Sequence, residues 1–369
     1  MIYMLVFAAI VVAKILVYLV LLFHPGMLDV GGNDSVYYDA YAQGANLAAS
    51  SAWPEILRGL HDVGLYSREG VSFFLMLLSA ILIPVLVARL SLMSRHWRDQ
   101  RVGWMVLLIV SLYPTIFYYA LDIYRDVLML FVFVVGLFCV RSSVSSESQA
   151  VRLVAFLMAF IVAASLFGLR AYLGVAFALS LVVFHFFKFQ RFSLVFHVVP
   201  LLLVLNGLFA VGLLRPLMQY RALFNNVEGG TNLGIRFDSV YYFIPDYLHS
   251  FFSQMLGLFF PGPLAVLFFI MESLPVIFAL MYLFKNRKYA SRFVDFIVVF
   301  FFAYSTIWLL GNDNLGTAIR LRIYNYICVV IACALVYQAK QRALARHSSA
   351  QEQATPVPFG SRLYKDLQK

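Results

Sequence analysis

Long apolar runs alternate with short polar segments along almost the whole chain. An α-helix needs about 20 predominantly apolar residues to cross the hydrocarbon core of a bilayer, and runs approaching that length recur ten times. The pattern predicts an all-α fold, a polytopic transmembrane helical bundle of about ten spans whose loops carry short helices. We expect the spans near residues 2–23, 71–92, 104–120, 127–140, 153–169, 171–187, 194–213, 264–284, 293–310 and 321–338.

One further apolar stretch, at 247–260, is short and lies between prolines. We interpret it as a re-entrant or interfacial helix, and the alternative is an eleventh span. The first run carries Lys14 and is followed by no small-residue cleavage site, which favours a retained span over a signal peptide. Residues 1–338 then form a single transmembrane domain. Residues 339–369 form a cytoplasmic tail, and we expect little structure at 348–369.

Composition excludes a water-soluble protein. The chain is 63% hydrophobic and 12% charged, whereas a soluble domain is about half apolar and about a quarter charged. All three cysteines, Cys139, Cys328 and Cys333, lie inside apolar runs. This placement favours simple packing residues over a disulfide framework or a zinc site.

Lysines and arginines divide the loops into two faces. With ten spans, both termini and the basic clusters at 89–101, 188–191, 285–292 and 340–369 lie on the same face. The positive-inside rule makes that face cytoplasmic. The net charge of +10 is therefore no indication of a nucleic-acid partner.

The opposite, outer face carries arginine but no lysine. Its arginines are Arg58, Arg68, Arg125, Arg170, Arg215, Arg221, Arg236, Arg320 and Arg322. Most acids of the chain fall there too, among them Asp34, Asp39, Asp122, Asp126 and Asp313. Arginine offers a planar fork of donors that matches phosphate or carboxylate. We expect at least two of these arginines to bind such a group, and the alternative is partner-paired structural arginine.

The first candidate segment is 31–41, just after span one. Asn33, Asp34 or Ser35 can cap a helix there, on which Asp34, Tyr38 and Tyr41 share a face. An acid among tyrosines at the membrane surface is a candidate general base towards a sugar hydroxyl. The alternative is a plain helix cap with an interfacial aromatic belt.

Two further candidates lie at predicted span ends. Pro114 is expected to kink the end of span three, and Arg125 then lies between Asp122 and Asp126 in a very short link. That arginine is either a functional residue or part of a structural ion pair. Arg170, followed by Tyr172, interrupts an apolar run of more than 30 residues. It marks either a hairpin turn or an interior cavity, and in both cases it needs an anion as partner.

Two loops complete the set. The segment 311–322 has the glycines and asparagines of a turn before Arg320 and Arg322. Those guanidiniums and the helix-start amides could together hold a pyrophosphate, or the arginines simply reach lipid headgroups. The long segment 215–246 is Gly-rich and charged, which is typical of a mobile loop over a site.

Several motifs are absent. The chain has no GxxxxGK[ST], HExxH or GxSxG, and the outer loops have no Asp-x-Asp pair. We therefore expect no nucleotide-driven pump, no metal site and no cofactor.

The segments, in this order, resemble the GT-C-type bacterial polysaccharide-assembly membrane proteins, including the O-antigen (oligosaccharide repeat-unit) polymerases. The matching motifs are Asp-Ser-x-Tyr-Tyr-x-x-Tyr at 34–41, Tyr-Pro-x-x-x-Tyr-Tyr-x-x-x-x-x-Arg-Asp at 113–126, Leu-Arg-x-Tyr at 169–172, Gly-Gly-Thr-Asn at 229–232 and Gly-Thr-Ala-Ile-Arg-Leu-Arg at 316–322. They are spread over most of residues 1–338.

The resemblance implies an inverting-type membrane glycosyltransferase that polymerises surface polysaccharide or lipopolysaccharide repeat units. Its substrate would be glycan on undecaprenyl diphosphate, at the periplasmic side of a bacterial inner membrane, with a chain-length regulator as a possible partner. It implies Asp34, Asp39, Arg170 and Arg320 as catalytic residues. The substrate-binding candidates are Tyr38, Tyr41, Arg125, Asp126, Tyr172, Arg215, Arg221, Arg236, Asp313 and Arg322.

Two alternatives stay open. The chain has no large periplasmic domain, which leaves a single-sugar transferase that uses a polyprenyl-phosphate sugar. A transporter or flippase of lipid-linked oligosaccharide would instead place ionisable groups near mid-membrane and show inverted repeats. Of these features only Lys14 is visible in the sequence.

Overall fold

The structure, a computed structural model, describes residues 2–24, 32–94, 97–186, 195–222 and 231–354. The described part is helical, and its one β-type pairing is an isolated bridge between Asn232 and Asn314. Three parts of the predicted features lie outside the described residues: the glycines at 229–230, part of the basic loops, and the end of the tail at 355–369.

Seventeen α-helices follow one another along these ranges. They are α1 (Ile2–Phe23), α2 (Asn33–Ala42), α3 (Ala52–Asp62), α4 (Arg68–Leu77), α5 (Ile83–Leu90), α6 (Trp97–Ser111), α7 (Pro114–Tyr118), α8 (Arg125–Ser145), α9 (Gln149–Leu169), α10 (Ala171–Phe186), α11 (Val195–Ala210), α12 (Arg215–Ala222), α13 (Phe243–Ser250), α14 (Pro263–Phe268), α15 (Leu274–Lys285), α16 (Arg292–Gly311) and α17 (Leu315–Ala354). Three π-helical turns, Leu78–Leu82, Phe251–Met255 and Phe269–Ser273, continue α4 into α5, extend α13, and continue α14 into α15.

Seven of the helices are long and apolar enough to cross a membrane, which indicates a membrane-embedded, multi-pass protein. They are Ile2–Phe23, Arg68–Leu90, Arg125–Ser145, Gln149–Leu169, Pro263–Lys285, Arg292–Gly311 and Leu315–Arg346. Each coincides with a predicted span. The other three predicted spans contain shorter apolar helices, Gln100–Ser111, Ala171–Phe186 and Val198–Ala210. A count of ten therefore stays a prediction.

Two predicted boundaries differ from the structure. Span three, expected at 104–120, is interrupted after Ser111, and a new helix begins at Pro114, whose ring cannot continue the preceding helix. The last helix does not end near 338 but runs to Ala354, so the first residues of the segment expected to lack structure are helical.

The apolar stretch 247–260 begins inside a short helix. That helix consists of α13 and the π-turn that extends it, and it has 13 residues from Phe243 to Met255. At about 1.5 Å per residue this helix is too short to cross a bilayer.

Contacts between helix ends divide the bundle into two ends. At one end the Arg141 guanidinium, on α8, donates to the carbonyl oxygens of Leu90 (2.7 Å) and Leu92 (2.5 Å). The side chain of Gln338 donates to the Ser91 carbonyl there (2.6 Å). The beginnings of α4, α8, α10 and α17 lie at the other end, together with α2 and α3. We call these the Gln338 end and the Asp34 end.

The core of the bundle lies around α16 and α17. Trp308 and Tyr304 of α16 and Tyr324 and Tyr326 of α17 are fully buried there. Within the α9–α10 hairpin the two helices pack against each other at close range. A methyl group added at Gly174 would overlap the backbone of Phe167 and lie 2.6 Å from the Ala163 carbonyl oxygen. By contrast α1 is peripheral, and most of its apolar side chains are exposed, as expected for contact with lipid.

Candidate functional site

The helix α2 is anchored to the turn that precedes α8. The backbone N–H of Gly32 donates to the Tyr124 hydroxyl at 2.8 Å, and the Trp53 indole N–H on α3 donates to the Ile123 carbonyl at 2.8 Å. The predicted side-chain cap is wrong, because Gly32 is the N-cap residue. Ser35 instead donates its hydroxyl back to the Gly32 carbonyl at 3.0 Å. The carboxylate of Asp34 is consequently free to point at other elements.

Asp34 begins a chain of alternating charges. A single Arg320 nitrogen, Nη1, lies 2.8 Å from Oδ2 of Asp34 and 3.9 Å from Oδ2 of Asp126. The other oxygen of Asp126 lies 3.4 Å from Nη1 of Arg170. The structure thus brings together one residue from each of four motifs that are far apart in sequence. Arg170 has the anionic partner that was predicted from its isolation in an apolar run. It also lies in the turn between α9 and α10.

Arg125 completes this group and has no carboxylate partner in the part of the chain that the structure describes. Its guanidinium donates to the Leu169 carbonyl at 3.1 Å, and within the described ranges no carboxylate lies within ion-pairing distance of it. The idea that Arg125 pairs with its sequence neighbours is therefore wrong, because Asp122 is bound by Arg68 and Asp126 by Arg170 and Arg320. We call Asp34, Arg125, Asp126, Arg170 and Arg320 the arginine–aspartate cluster. It holds three cations and two anions.

Burial alone would raise the pKa of Asp34. The hydrogen bond from Arg320 and the charges of Arg320, Arg125 and Arg170 outweigh it and lower that pKa below its ordinary value. Asp34 is thus a carboxylate at neutral pH. Burial raises the pKa of neighbouring Tyr38 to about 12 and also raises that of Tyr119. Both phenols therefore stay neutral hydrogen-bonding groups.

A cavity of about 500 Å³ opens beside the cluster. Its walls are mainly apolar and aromatic, with Tyr172, Leu217 and Trp308 among them. Arg125 and Arg170 contribute the charged part of the lining. The Arg170 guanidinium also lies over the Tyr172 ring, 5.2 Å from its centroid. The cavity therefore presents cations at one part of an apolar wall.

Several buried polar atoms in and around the cluster have no hydrogen-bond partner among the described residues. They are Nε of Arg170, Nε of Arg320, the indole nitrogen of Trp308 and the hydroxyls of Tyr304 and Tyr324. Buried polar groups are nearly always satisfied in folded proteins. Arg170 and Trp308 line the cavity, and unsatisfied donors in a cavity wall are typical of a site that binds something.

Asp39 belongs to a different network. Its carboxylate accepts a hydrogen bond from the Tyr66 hydroxyl at 2.6 Å and lies 3.8 Å from Arg68. Arg68 in turn holds Asp122 with two bonds of 3.0 and 2.6 Å. Five positions along a helix place Asp39 and Asp34 on different sides of α2. The two predicted catalytic acids do not converge, and Asp39 instead helps to fix α2 against α4.

Arg320 and Arg322 also separate, contrary to the predicted joint pyrophosphate site. Residues two apart on a helix do not face each other. Arg322 lies 3.3 Å from Glu272 of the α14–α15 helix, and both side chains are almost completely buried. Glu272 further accepts bonds from the backbone N–H (3.0 Å) and the hydroxyl (2.5 Å) of Thr115. Arg322 therefore anchors α17, and Arg320 alone reaches the cluster.

The Arg221–Asp313 pair fixes a loop. Arg221 forms an ion pair with Asp313 and donates to the carbonyls of Ile235 (2.7 Å) and Leu309 (3.0 Å). Asp313 accepts a bond from the backbone N–H of Gly234 at 2.9 Å. Both side chains are buried, so neither presents a surface to a ligand. The described part of the predicted mobile loop is fastened to the α16–α17 turn.

The remaining predicted binding residues lie outside the cluster. Arg215 and Arg236 are exposed. Tyr41 is buried under Arg58, whose guanidinium lies 4.9 Å from its ring centroid.

Sequence reasoning overlooked Glu272. It is the only acid in the run 264–284, and a lone ionisable residue inside a span is a signal that could have found it. Lys14 carries the same signal. Its buried amine lies 5.0 Å from the Phe117 ring centroid and has no hydrogen-bond partner within the described ranges. Tyr304 and Tyr324, which are buried near Arg170, carried no signal distinguishing them from core residues.

Across the described ranges, no group of three or more His, Cys, Asp or Glu side chains lies close enough to hold a metal ion. Comparison of the chain with protein-family models, with curated proteins and with solved structures finds no match.

Proposed function

We propose that the protein is an integral membrane glycosyltransferase that polymerises lipid-linked glycan repeat units at the Asp34 end of the bundle. One observation carries the proposal. The arginine–aspartate cluster, with its excess positive charge and its half-exposed acid, lies beside a cavity with apolar walls. Such a site suits a substrate with an anionic group next to a hydrocarbon chain and a sugar.

The donor would be glycan on undecaprenyl diphosphate. Arg125 and Arg170 at the cavity lining would bind the diphosphate, because guanidinium forks match phosphate oxygens. The apolar walls around Leu217 and Trp308 would take the first isoprenyl units. The acceptor would be a sugar hydroxyl of a second lipid-linked unit, beside Asp34, whose side chain is 49% exposed.

The reaction is a displacement at the anomeric carbon. The bond from that carbon to the diphosphate oxygen breaks, and a new bond to the acceptor oxygen forms. Asp34 takes the hydroxyl proton as general base, and undecaprenyl diphosphate leaves with the bonding electron pair. The arginines stabilise the charge that develops on the departing diphosphate.

The charge distribution supports an orientation. The described lysines outside α1, namely Lys285, Lys288 and Lys340, lie towards the Gln338 end of the bundle. The positive-inside rule then places the Gln338 end in the cytoplasm of a bacterial cell, with both termini, and the Asp34 end in the periplasm. A periplasmic site agrees with the arginine-only outer face.

The test replaces Asp34, Arg170 and Arg320 by Ala in turn, in the native host with its own copy deleted, and reads polysaccharide length on a gel. We expect each variant to lose the long chains. Arg152→Ala, at an exposed position at the other end of α9, is the matched control. Long chains unchanged in all three variants, at normal protein levels, would refute the site.

A transporter of lipid-linked glycan is the second candidate, because Glu272 and Arg322 form an ion pair buried between spans. Ionisable groups in that position are common in ion and substrate pathways. A polymerase joins glycans in a purified, one-compartment system, whereas a transporter only moves them between leaflets. Product chains formed in detergent would exclude transport as the sole function.

A further inference from the structure

One guanidinium nitrogen serves two carboxylates in the cluster. Arg320 Nη1 lies 2.8 Å from Asp34 but 3.9 Å from Asp126. The first is a charge-assisted hydrogen bond, and the second is a looser ion pair. Arg320 can therefore give up Asp34 and still keep a counter-ion.

The two carboxylates differ in access to water. The Asp34 side chain is 49% exposed, whereas that of Asp126 is 8% exposed. Losing Arg320 costs little for the exposed acid, since water can solvate it, but much for the buried one. The Asp34 contact is thus the one that breaks first.

Arg320 also has unused bonding capacity. Its buried Nε has no hydrogen-bond partner among the residues that the structure describes, and its guanidinium carbon lies 5.4 Å from the centroid of the Tyr119 ring. With Arg125 unpaired to any described carboxylate, the cluster has one more cation than anion. The net positive charge of the cluster therefore attracts an anion, and Nε of Arg320 can donate a hydrogen bond to it.

We propose that Arg320 is an exchangeable counter-ion: an anionic ligand draws it away from Asp34, so that ligand binding releases the Asp34 carboxylate. In the transferase reaction, on which this functional meaning rests, the ligand is the donor diphosphate. Asp34 is then held while the site is empty and becomes a free base once the donor is bound. This order limits the base to the moment when a glycosyl group is available.

The proposal predicts competition between Asp34 and an anion for Arg320. The probe is inorganic pyrophosphate, titrated calorimetrically into the full-length protein in phosphatidylcholine nanodiscs. We expect Asp34→Asn to tighten pyrophosphate binding about two- to tenfold, because the ion pair no longer has to be broken. The control Asp62→Asn removes an exposed acid of α3 that lies 3.8 Å from His61, away from the cluster. It should change the affinity by less than about 1.5-fold, since screened charges act weakly.

A double-mutant cycle separates direct exchange from general charge effects. Arg320→Gln should weaken pyrophosphate binding, and adding Asp34→Asn to it should then change the affinity no more than Asp62→Asn does. Equal tightening by Asp34→Asn with and without Arg320 would overturn the proposal, as would a wild-type protein that does not bind pyrophosphate. The outcome is independent of the transferase assay. If pyrophosphate competes with Asp34 for Arg320 but Asp34→Ala still makes long polysaccharide, the proposed function is refuted. If Asp34→Ala loses the long chains but pyrophosphate does not compete, only this inference is refuted.

Discussion

The buried Glu272–Arg322 pair offers a quantitative test of how α17 is positioned. Glu272→Gln keeps the shape and the contact with Thr115 but removes the charge that compensates Arg322. Glu272 is 0% and Arg322 4% exposed, so water cannot replace the lost partner. Removing one member of a buried pair costs about 3–5 kcal/mol, and we expect a loss of that size in the free energy of unfolding.

The opposite change should cost less. In Arg322→Met the carboxyl group of Glu272 can take up a proton and become neutral, whereas an unpaired guanidinium stays charged. The double variant Glu272→Gln/Arg322→Met leaves no buried charge, and it should recover at least half of the loss seen in Glu272→Gln. Glu272 connects two helices next to the site, because it accepts a hydrogen bond from Thr115 of α7 and forms an ion pair with Arg322 of α17.

The assay is reversible unfolding in mixed micelles with increasing sodium dodecyl sulfate, followed by tryptophan fluorescence. Glu55→Gln, at an exposed position in α3, is the control and should stay within about 0.5 kcal/mol of the wild type. A Glu272→Gln protein within 1 kcal/mol of the wild type would refute this account of the pair. So would a double variant no more stable than the single one.

Three further predictions concern packing, pH and the fastened loop. Gly174→Ala should lower the melting temperature by several degrees, because the methyl group meets backbone. Gly207→Ala, which meets nothing within 4 Å, should not lower it; equal effects in a thermal melt would contradict the packing. The Asp34–Arg320 ion pair should persist as the pH falls below 3.8, the ordinary pKa of an aspartate. The pKa of Asp34 is lowered, so the stability that the pair contributes is lost only as the pH falls through that lowered pKa. Arg320→Gln should move Asp34 protonation to higher pH in carboxylate infrared spectra, and no shift would argue against the contact. Asp313→Asn should speed hydrogen exchange at 231–238, and unchanged exchange would mean that other contacts hold the loop.

The seven long apolar helices were largely predictable, except for the end of α17, because span length and apolar content are local properties of the chain. Pro114 predicted a kink near the end of span three, and the structure instead has a break between α6 and α7. Arg170 was expected to need an anion, since an isolated charge in an apolar run cannot stay unpaired. The three shorter helices were less predictable. An apolar run of about 16 residues does not reveal whether the helix ends early.

The identity of partners could not be read from the sequence. Asp126 lies 44 positions before Arg170 and 194 before Arg320, and only tertiary packing decides that these three meet. Arg320 and Arg322 looked like one site while the segment was treated as a loop. Because α17 begins at Leu315, both arginines lie on a helix, and two positions apart they lie on different sides of it. Glu272 lies in a π-turn inside a span, away from the charged loops that supplied most of the predicted site residues.

The most direct measurement of the central claim is mass spectrometry of the lipid-linked glycans that accumulate when the gene is deleted in its native host. A polymerase that acts at the arginine–aspartate cluster predicts accumulation of single, complete repeat units on undecaprenyl diphosphate. Asp34→Ala should reproduce that profile, and the wild-type gene should restore the normal one. Truncated units would indicate a single-sugar transferase instead. A lipid-linked profile identical to that of the wild-type host would contradict glycosyl transfer by this protein.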